Sequence, residues 1–378
     1  MNASSSIKWI LLSLAIIVGV TIADNDDTNR ELFFRRRKKS DPCRGARTKM
    51  NIPFAITNIA AKNIDDGKVK YNYHSSGSPD KLFFLKDVTL CDFRWYPYNI
   101  IGTKLSESEF KREVKTYLDK NGYDHVLYNI HGFNVSPYWS FKDSWDWNKK
   151  HKEYLTIPIQ WRNKWGAYFF SYEHDRDKKA PLMGKQLAKS AGVFNTDYDT
   201  SIMCHSMGNY VFRVFAQNVQ QPSILFRNFF SVAADARMDM FSSDFNPLAA
   251  SQSHEGELPA VPGQDLEGHT DDELKENGGY AISKLARNTH VIYNRGDHAL
   301  HVRETFQIGW GDNVRKALGK FGDQSEKEMD EYFDNKVKFH DFSRKVEYIG
   351  IEHNYQWYQV CKNLYIAWKN KDITSENI

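Results

Sequence analysis

The chain has 378 residues, 41% hydrophobic and 26% charged, fractions that are ordinary for a globular protein and exclude wholesale disorder. Lysine and arginine number 51 against 48 aspartate and glutamate, and the resulting net charge of +3 gives no argument for binding nucleic acid. The 4 cysteines are too few for a disulfide scaffold, and without a CxxC pair they do not indicate a cysteine zinc site.

The start of the chain carries a targeting pattern. Residues 9–23 form an apolar run that follows Lys8 and falls short of the roughly 20 residues of a membrane-spanning helix. With small residues at its end, the run is typical of a secretory signal over residues 1–23. It predicts a protein that is secreted or resides in the lumen of the secretory pathway. An uncleaved signal anchor, which would associate with a membrane through residues 9–23, is the alternative.

A basic segment, residues 24–49, follows the predicted signal. Its run RRRKK at residues 35–39 favours a solvated, disordered linker. Secretion would also make Cys43 and Cys91 a candidate disulfide, because disulfides persist in oxidising compartments.

Residues 50–122 predict strands and one helix that flank the core of the protein. The helix covers residues 107–120, in which Phe110, Val114 and Leu118 recur with helical spacing. From residue 123 onward, short apolar runs alternate with helical stretches. The runs cover residues 123–130, 154–161, 200–204, 225–232, 290–293 and 346–351, and helices are predicted over residues 207–219 and 356–369.

This alternation predicts an α/β fold over residues 123–370, with a mostly parallel central sheet and helices on both faces. The polar, acidic stretch 241–278 falls between two predicted strands and is interpreted as a cap or loop insertion. In such sheets the functional groups lie beyond the carboxyl ends of the strands, so candidate residues are sought there.

The most informative segment is residues 204–209, CHSMGN, which follow a predicted strand and open a predicted helix. A nucleophile elbow requires this context, and it requires small residues around the nucleophile because strand and helix backbones approach closely. Gly208 meets that need, and Cys204 places a small side chain where a glycine is usual. The turn would lift the Ser206 hydroxyl toward a helix N-terminus, which favours developing negative charge. Ser206 is therefore the predicted nucleophile, with a helix N-cap serine as the alternative.

This segment resembles the A/G-H-S-M-G-N elbow of α/β-hydrolases. More narrowly, it is similar to a largely uncharacterised α/β-hydrolase family named only as a domain of unknown function. Residues 131–134, HGFN, resemble the H-G-[FY]-N strand end of that family. Trp161 and the later residues Tyr172, Asp175 and Arg176 resemble its next strand end and the Tyr and acidic–Arg positions that follow. The resemblance covers the chain from residue 123 to the C-terminal helix.

The resemblance implies a serine hydrolase with an oxyanion hole. Backbone N–H groups of Phe133 and Met207 would bind the oxyanion, one from the HG loop and one from the elbow. His131 and Gly132 would be structural members of the HG turn, as Cys204 and Gly208 are of the elbow.

The triad of this fold runs along the chain as serine, acid and histidine. Asp297 follows the predicted strand at 290–293 and resembles the strand-end acid of the family, with a helix N-cap aspartate as the structural alternative. Asp235 ends the preceding predicted strand and is the alternative acid. His353 follows the last predicted strand and resembles the base in the family's G-H-S-Y segment. His340 precedes that strand and is expected at the opposite edge of the sheet.

These residues predict a hydrolase that cleaves a small-molecule or lipid carboxylic ester through an acyl-enzyme. No metal, organic cofactor or nucleic-acid partner is implied. One alternative is an amide or thioester hydrolase that uses the same triad. Another, from a different class, is a catalytically silent hydrolase fold that binds a ligand or a protein partner. The fold does not specify the acyl group, the leaving group or the oligomeric state.

Overall fold

The computed structural model describes residues 43–59, 61–65, 68–72, 81–92, 99–151, 154–163, 172–220, 222–236, 238–241, 278–297, 300, 317–320, 322–329, 333–334 and 336–343. The predicted signal, most of the basic linker, residues 242–277 of the predicted insertion and residues 344–378 lie outside the described residues.

The described residues form eleven strands and six α-helices of six residues or more. The strands are β1 (Thr48–Thr57), β2 (Ala61–Asp65), β3 (Lys68–Asn72), β4 (Phe83–Asp92), β5 (Asn99–Leu105), β6 (His125–Ile130), β7 (Tyr154–Gln160), β8 (Asp199–His205), β9 (Phe226–Val232), β10 (Ala286–Tyr293) and β11 (Val337–Asp341). The helices are α1 (Glu107–Asn121), α2 (Pro137–Lys150), α3 (Ala180–Lys189), α4 (Gly208–Asn218), α5 (Gly278–Leu285) and α6 (Gly322–Lys327). A helical turn, Tyr172–His174, and a π-helical turn, Asp175–Lys179, lead directly into α3.

All eleven strands belong to one sheet, in the order β11-β10-β9-β8-β6-β7-β1-β4-β5-β3-β2. The strands from β11 to β1 are parallel to one another, and those from β1 to β2 pair antiparallel. The mostly parallel sheet that the sequence predicts is therefore confirmed.

The register of the central strands aligns their carboxyl ends. Cys204 of β8 lies opposite Ile130 of β6, while Val232 of β9 lies opposite both His205 and Ile292. Because parallel strands all end at the same edge of the sheet, the loops that follow β6, β8, β9 and β10 meet there. This edge is where the candidate residues are found.

Helices cover both faces of the sheet, which is why its central strands are buried along nearly their whole length. Tyr128 and Ile130 of β6 belong to the largest buried cluster, to which α1, α3 and α4 contribute Phe110, Met183 and Val211. Leu127, which points the other way in the same strand, packs with Trp147 of α2 in a second cluster. The sheet thus separates two apolar layers.

Most of the predicted elements correspond to observed ones, while the strand predicted at residues 346–351 and the helix predicted at 356–369 lie outside the described residues. The helix predicted over residues 107–120 is α1, and the runs from residue 123 to residue 293 are β6 to β10. The sequence did not predict β11, which pairs with β10 and places His340 opposite Ile292, near the carboxyl ends of both strands. The expectation that His340 lies at the opposite edge of the sheet is wrong, since this residue lies near the carboxyl end of β11.

A disulfide joins Cys43 to Cys91, with their Cα atoms 5.3 Å apart. It links the turn that precedes β1 to the end of β4, and both residues are buried. In the described part of the chain, no helix has the length and apolar character that crossing a bilayer requires.

Candidate active site

Four candidate loops meet at the carboxyl edge of the sheet. His131 and Gly132 follow β6, Ser206 follows β8, Asp235 comes three residues after the end of β9, and Asp297 lies four residues beyond β10. The N-termini of α2 and α4 begin at the same edge.

Ser206 occupies a strained turn between β8 and α4. Its φ is +51°, in the left-handed region that residues other than glycine seldom adopt. Its N–H donates to the Val232 carbonyl at 3.0 Å, which extends the ladder between β8 and β9 by one residue. Its carbonyl accepts the Asn209 N–H at 3.0 Å as the helix begins. Backbone strain of this kind, held by surrounding hydrogen bonds, is characteristic of functional sites.

Two glycines make room for the turn. A Cβ added at Gly208 would lie 2.6 Å from the Ile130 carbonyl oxygen, so α4 could not approach β6 with any larger residue there. A Cβ added at Gly132 would lie 2.8 Å from the Ser206 Cβ. The HG loop and the elbow are therefore in direct contact, as an oxyanion hole shared between them requires.

Cys204 fills the position where a glycine is usual. The residue is completely buried, and burial raises the pKa of its thiol well above the ordinary value. A neutral, inaccessible thiol is not a nucleophile, which leaves Ser206 as the candidate nucleophile of the turn.

Asn209 holds the elbow together through a single amide group. Its Nδ2 lies 3.0 Å from the carbonyl oxygens of both Cys204 and Ser206 and 3.4 Å from that of Val232. These carbonyls belong to the end of β8, the strained turn and the end of β9. Asn209 was not predicted as a site residue, although its place in the CHSMGN segment could have indicated a role in the elbow.

His131 is buried in the HG turn, and both of its ring nitrogens have hydrogen-bond partners. Its Nε2 accepts the Trp161 backbone N–H at 3.2 Å, which leaves Nδ1 as the protonated nitrogen that donates to the Gly132 carbonyl at 2.8 Å. The Trp161 indole stacks on the imidazole and donates through Nε1 to the His131 carbonyl at 2.8 Å. Burial lowers the pKa of His131 to about 4, so the ring stays neutral near pH 7. With both nitrogens engaged, His131 orients the loop and is not a general base.

Asn163 adds a second restraint on the same loop. Its Nδ2 donates to the Gly132 carbonyl at 3.1 Å, and the residue is buried. With the Gly132 carbonyl fixed, the peptide that bears the Phe133 N–H has a defined orientation. The other predicted oxyanion donor, Met207, immediately precedes α4, where the first N–H groups of a helix have no intrahelical acceptor.

Asp235 has a tyrosine as its partner. The Tyr172 hydroxyl donates to the Asp235 carboxylate, and the Asp235 N–H donates to the Ser206 carbonyl at 3.3 Å. The Tyr172 ring packs edge-on against Phe133, with the centroids 5.2 Å apart. Because Tyr172 and Asp235 are 63 residues apart, no local pattern predicts their contact.

Asp297 is completely buried in the turn after β10. Its Oδ1 accepts the Leu300 N–H at 3.0 Å, and its own N–H donates to the Asn294 carbonyl at 3.0 Å. The Leu300 bond is of the kind that the N-cap alternative predicts. A carboxylate has about four acceptor positions, so this bond is compatible with a second, histidine partner.

Two histidines complete the list of candidates. His353, the predicted base, lies outside the described residues. His340 is buried, and its Nε2 lies 3.1 Å from Nδ1 of His290 in the neighbouring strand. Two strands, β10 and β9, separate β11 from β8, which excludes direct contact of His340 with Ser206.

Comparisons with known proteins identify the family of the chain. The family model described as "Alpha/beta hydrolase of unknown function (DUF900)" matches residues 106–360, more than half of the chain. No curated protein matches the sequence. Among solved structures, acetyl xylan esterase 1 from Thermoanaerobacterium sp. JW/SL YS485 is similar at 12% identity and a TM-score of 0.32, over 82% of this chain and 87% of that one. A lipase-esterase related protein from Clostridium acetobutylicum ATCC 824 is similar at 12% identity and a TM-score of 0.28, over 58% of this chain and 86% of that one.

Proposed function

The chain belongs to this family of α/β-hydrolases, and from that premise we propose that it is a serine hydrolase that cleaves a carboxylic ester. Ser206 is the nucleophile, His353 the base and Asp297 the acid of the proposed triad. The observation that carries the proposal is the strained φ of Ser206 on a turn that touches the HG loop. An N-cap serine without chemistry would need neither the strain nor the contact.

In the proposed reaction, the Ser206 Oγ attacks the acyl carbonyl carbon while the His353 imidazole takes the hydroxyl proton. The former carbonyl oxygen becomes an oxyanion, bound by the N–H groups of Phe133 and Met207. Collapse of the intermediate breaks the bond to the alcohol, which leaves with the proton from His353. Water then attacks the acyl-enzyme with the same proton transfers, which releases the carboxylic acid and restores Ser206.

Asp297 is the first candidate acid because it resembles the strand-end acid of the family, and it is completely buried in the turn after β10. Asp235 is the alternative, since both carboxylates follow the order of serine, acid and histidine along the chain. Asp297→Asn should lower turnover by about 10⁴, since the imidazole would lose the carboxylate that orients it. A loss of that size confined to Asp235→Asn would refute the assignment.

The aromatic lining favours a substrate with an apolar acyl or alcohol group. The ring of Tyr172 packs against that of Phe133, which belongs to the loop that contacts Ser206. Ligand sites of this type combine aromatic walls with a few fixed polar groups. A series of esters of increasing chain length, with matched amide and thioester analogues, measures both the preferred acyl group and the preferred leaving group.

We also propose that the protein works in an oxidising compartment, either secreted or lumenal. The Cys43–Cys91 disulfide supports this, because such bonds are rare in reducing compartments. N-terminal sequencing of the protein recovered from secreting cells checks the expected cleavage near residue 23, and an intact N-terminus would favour the signal anchor.

Labelling with a fluorophosphonate probe tests the proposed nucleophile without knowledge of the substrate. The full-length protein should be labelled, and Ser206→Ala and His353→Ala should abolish labelling. Ser108→Ala, an exposed serine of α1, is the matched control and should be labelled like the wild type. Labelling that persists in Ser206→Ala would refute the nucleophile. A folded wild-type protein that is never labelled would favour the silent, ligand-binding alternative.

A further inference from the structure

We propose that Tyr172 is a positioning residue, which holds the oxyanion loop against the nucleophile elbow through Asp235. The inference rests on the proposed function, since it assigns a part of the same site. It also assigns Asp235 a role other than that of the triad acid.

The first step of the argument is the path of contacts. The Tyr172 hydroxyl donates to the carboxylate of Asp235, whose own N–H donates to the Ser206 carbonyl at 3.3 Å. The other side of Tyr172, its ring, packs edge-on against Phe133. One side chain therefore connects the residue that supplies an oxyanion donor with the backbone of the nucleophile.

The second step concerns the charge. Asp235 is 6% exposed, and a buried carboxylate needs hydrogen-bond donors to compensate for lost hydration. A hydroxyl that donates to an ionised group makes a stronger bond than a neutral pair does. The contact thus fixes the position of the Tyr172 ring, which in turn limits how far Phe133 can move from Ser206.

The third step concerns the helix that carries Tyr172. The residue opens the helical turn Tyr172–His174, which continues through the π-helical turn Asp175–Lys179 into α3. Within that turn the Lys179 Nζ lies 2.6 Å from the fully buried Asp175 carboxylate. Along α3, Gly184 approaches α4 so closely that an added Cβ would lie 2.7 Å from the Val211 carbonyl. Tyr172 is therefore built on a helix that is packed against the elbow helix.

The test is a double-mutant cycle on the rate of fluorophosphonate labelling. Tyr172→Phe removes only the hydroxyl, and Asp235→Ala removes its acceptor. Each should lower the maximal labelling rate about 10-fold, with little change in the probe concentration that gives half of that rate. The double variant should be no slower than either single variant, because both changes remove one interaction.

A conservative variant separates positioning from acid catalysis. Asp235→Asn keeps an oxygen that accepts the Tyr172 hydroxyl, so it should lose at most about threefold. If Asp235 were the triad acid, Asp235→Asn would lose about 10⁴ and Tyr172→Phe would change little. Tyr117→Phe is the matched control, since it removes a hydroxyl from a half-buried tyrosine of α1, remote from the site.

The outcomes distinguish this inference from the proposed function. An unlabelled, folded wild-type protein would overturn the proposed function and this inference with it. A labelled wild type with additive losses in the double variant, or an unchanged rate in Tyr172→Phe, would overturn this inference alone. Unfolding curves of all the variants identify any loss of rate that comes from loss of the fold.

Discussion

Replacing Ser206 by glycine should give a more stable protein than replacing it by alanine. Both variants lose the hydroxyl, so their difference isolates the backbone. At a φ of +51°, a residue with a Cβ carries about 1–2 kcal/mol of strain, which glycine does not have. Glycine also has more conformational freedom in the unfolded chain, which offsets about 0.5–1 kcal/mol of the stability gained by relieving the strain. The net expectation is that Ser206→Gly is more stable than Ser206→Ala by about 0.5–1 kcal/mol.

A matched pair elsewhere should show the opposite sign. Thr116 is exposed in the middle of α1, where glycine is about 1 kcal/mol less stable than alanine. Equilibrium unfolding in urea, with equal slopes for the four variants, measures both differences. If Ser206→Gly were less stable than Ser206→Ala by the margin seen at Thr116, the elbow would not be strained. The main observation behind the proposed nucleophile would then fail.

Three further predictions follow from buried groups. Burial lowers the pKa of His340 from 6.5 to about 4. Between these two pH values the imidazole is protonated in the unfolded state and neutral in the folded state, so the folded protein loses stability as the pH falls from about 6.5 to 4. In His340→Gln, the free energy of unfolding in urea should fall by about 3 kcal/mol less between these two pH values than it does in the wild type. An unchanged pH dependence would contradict the burial argument. Gly132→Ala should lower the labelling rate about 100-fold, because its methyl group would displace Ser206, and a wild-type rate would exclude the close contact. Replacing both Cys43 and Cys91 by serine should destabilise the protein by about 4 kcal/mol in urea unfolding, because the disulfide closes a loop of 48 residues and so restricts the unfolded chain. Equal stability of the wild-type protein with and without reductant would contradict this prediction.

The central elements were predictable because their signals are local. Apolar strands that alternate with helices specify a covered parallel sheet, and β6 to β10 lie where those runs are. The strand β11 was not predictable, since the sequence VKFHD of Val337–Asp341 is short and alternates charged with apolar residues. Its pairing with β10 and the buried contact of His340 with His290 stabilise it, and both partners are distant in sequence.

The candidate site divides in the same way. Ser206 and Gly208 were predictable because a sharp turn needs a small residue at a fixed offset from the nucleophile, whereas Gly132 was predicted from the resemblance of residues 131–134 to a family motif. The role of Asn209 could have been predicted, since its side-chain amide donates hydrogen bonds to carbonyl groups of its own segment. The partner of Asp235 was not, because Tyr172 comes from a helix 63 residues away in the chain.

The sequence by itself determined the type of sheet and the position of the turn that carries Ser206, because strand periodicity and the turn motif each depend on a few neighbouring residues. It left two acids, Asp235 and Asp297, as alternatives, since both end strands and local patterns treat them alike. The tertiary structure gives the two carboxylates different partners, because the Tyr172 hydroxyl donates to Asp235 and the Leu300 N–H donates to Asp297. Long-range packing determines which groups face a buried charge, and that is the information a single sequence does not carry.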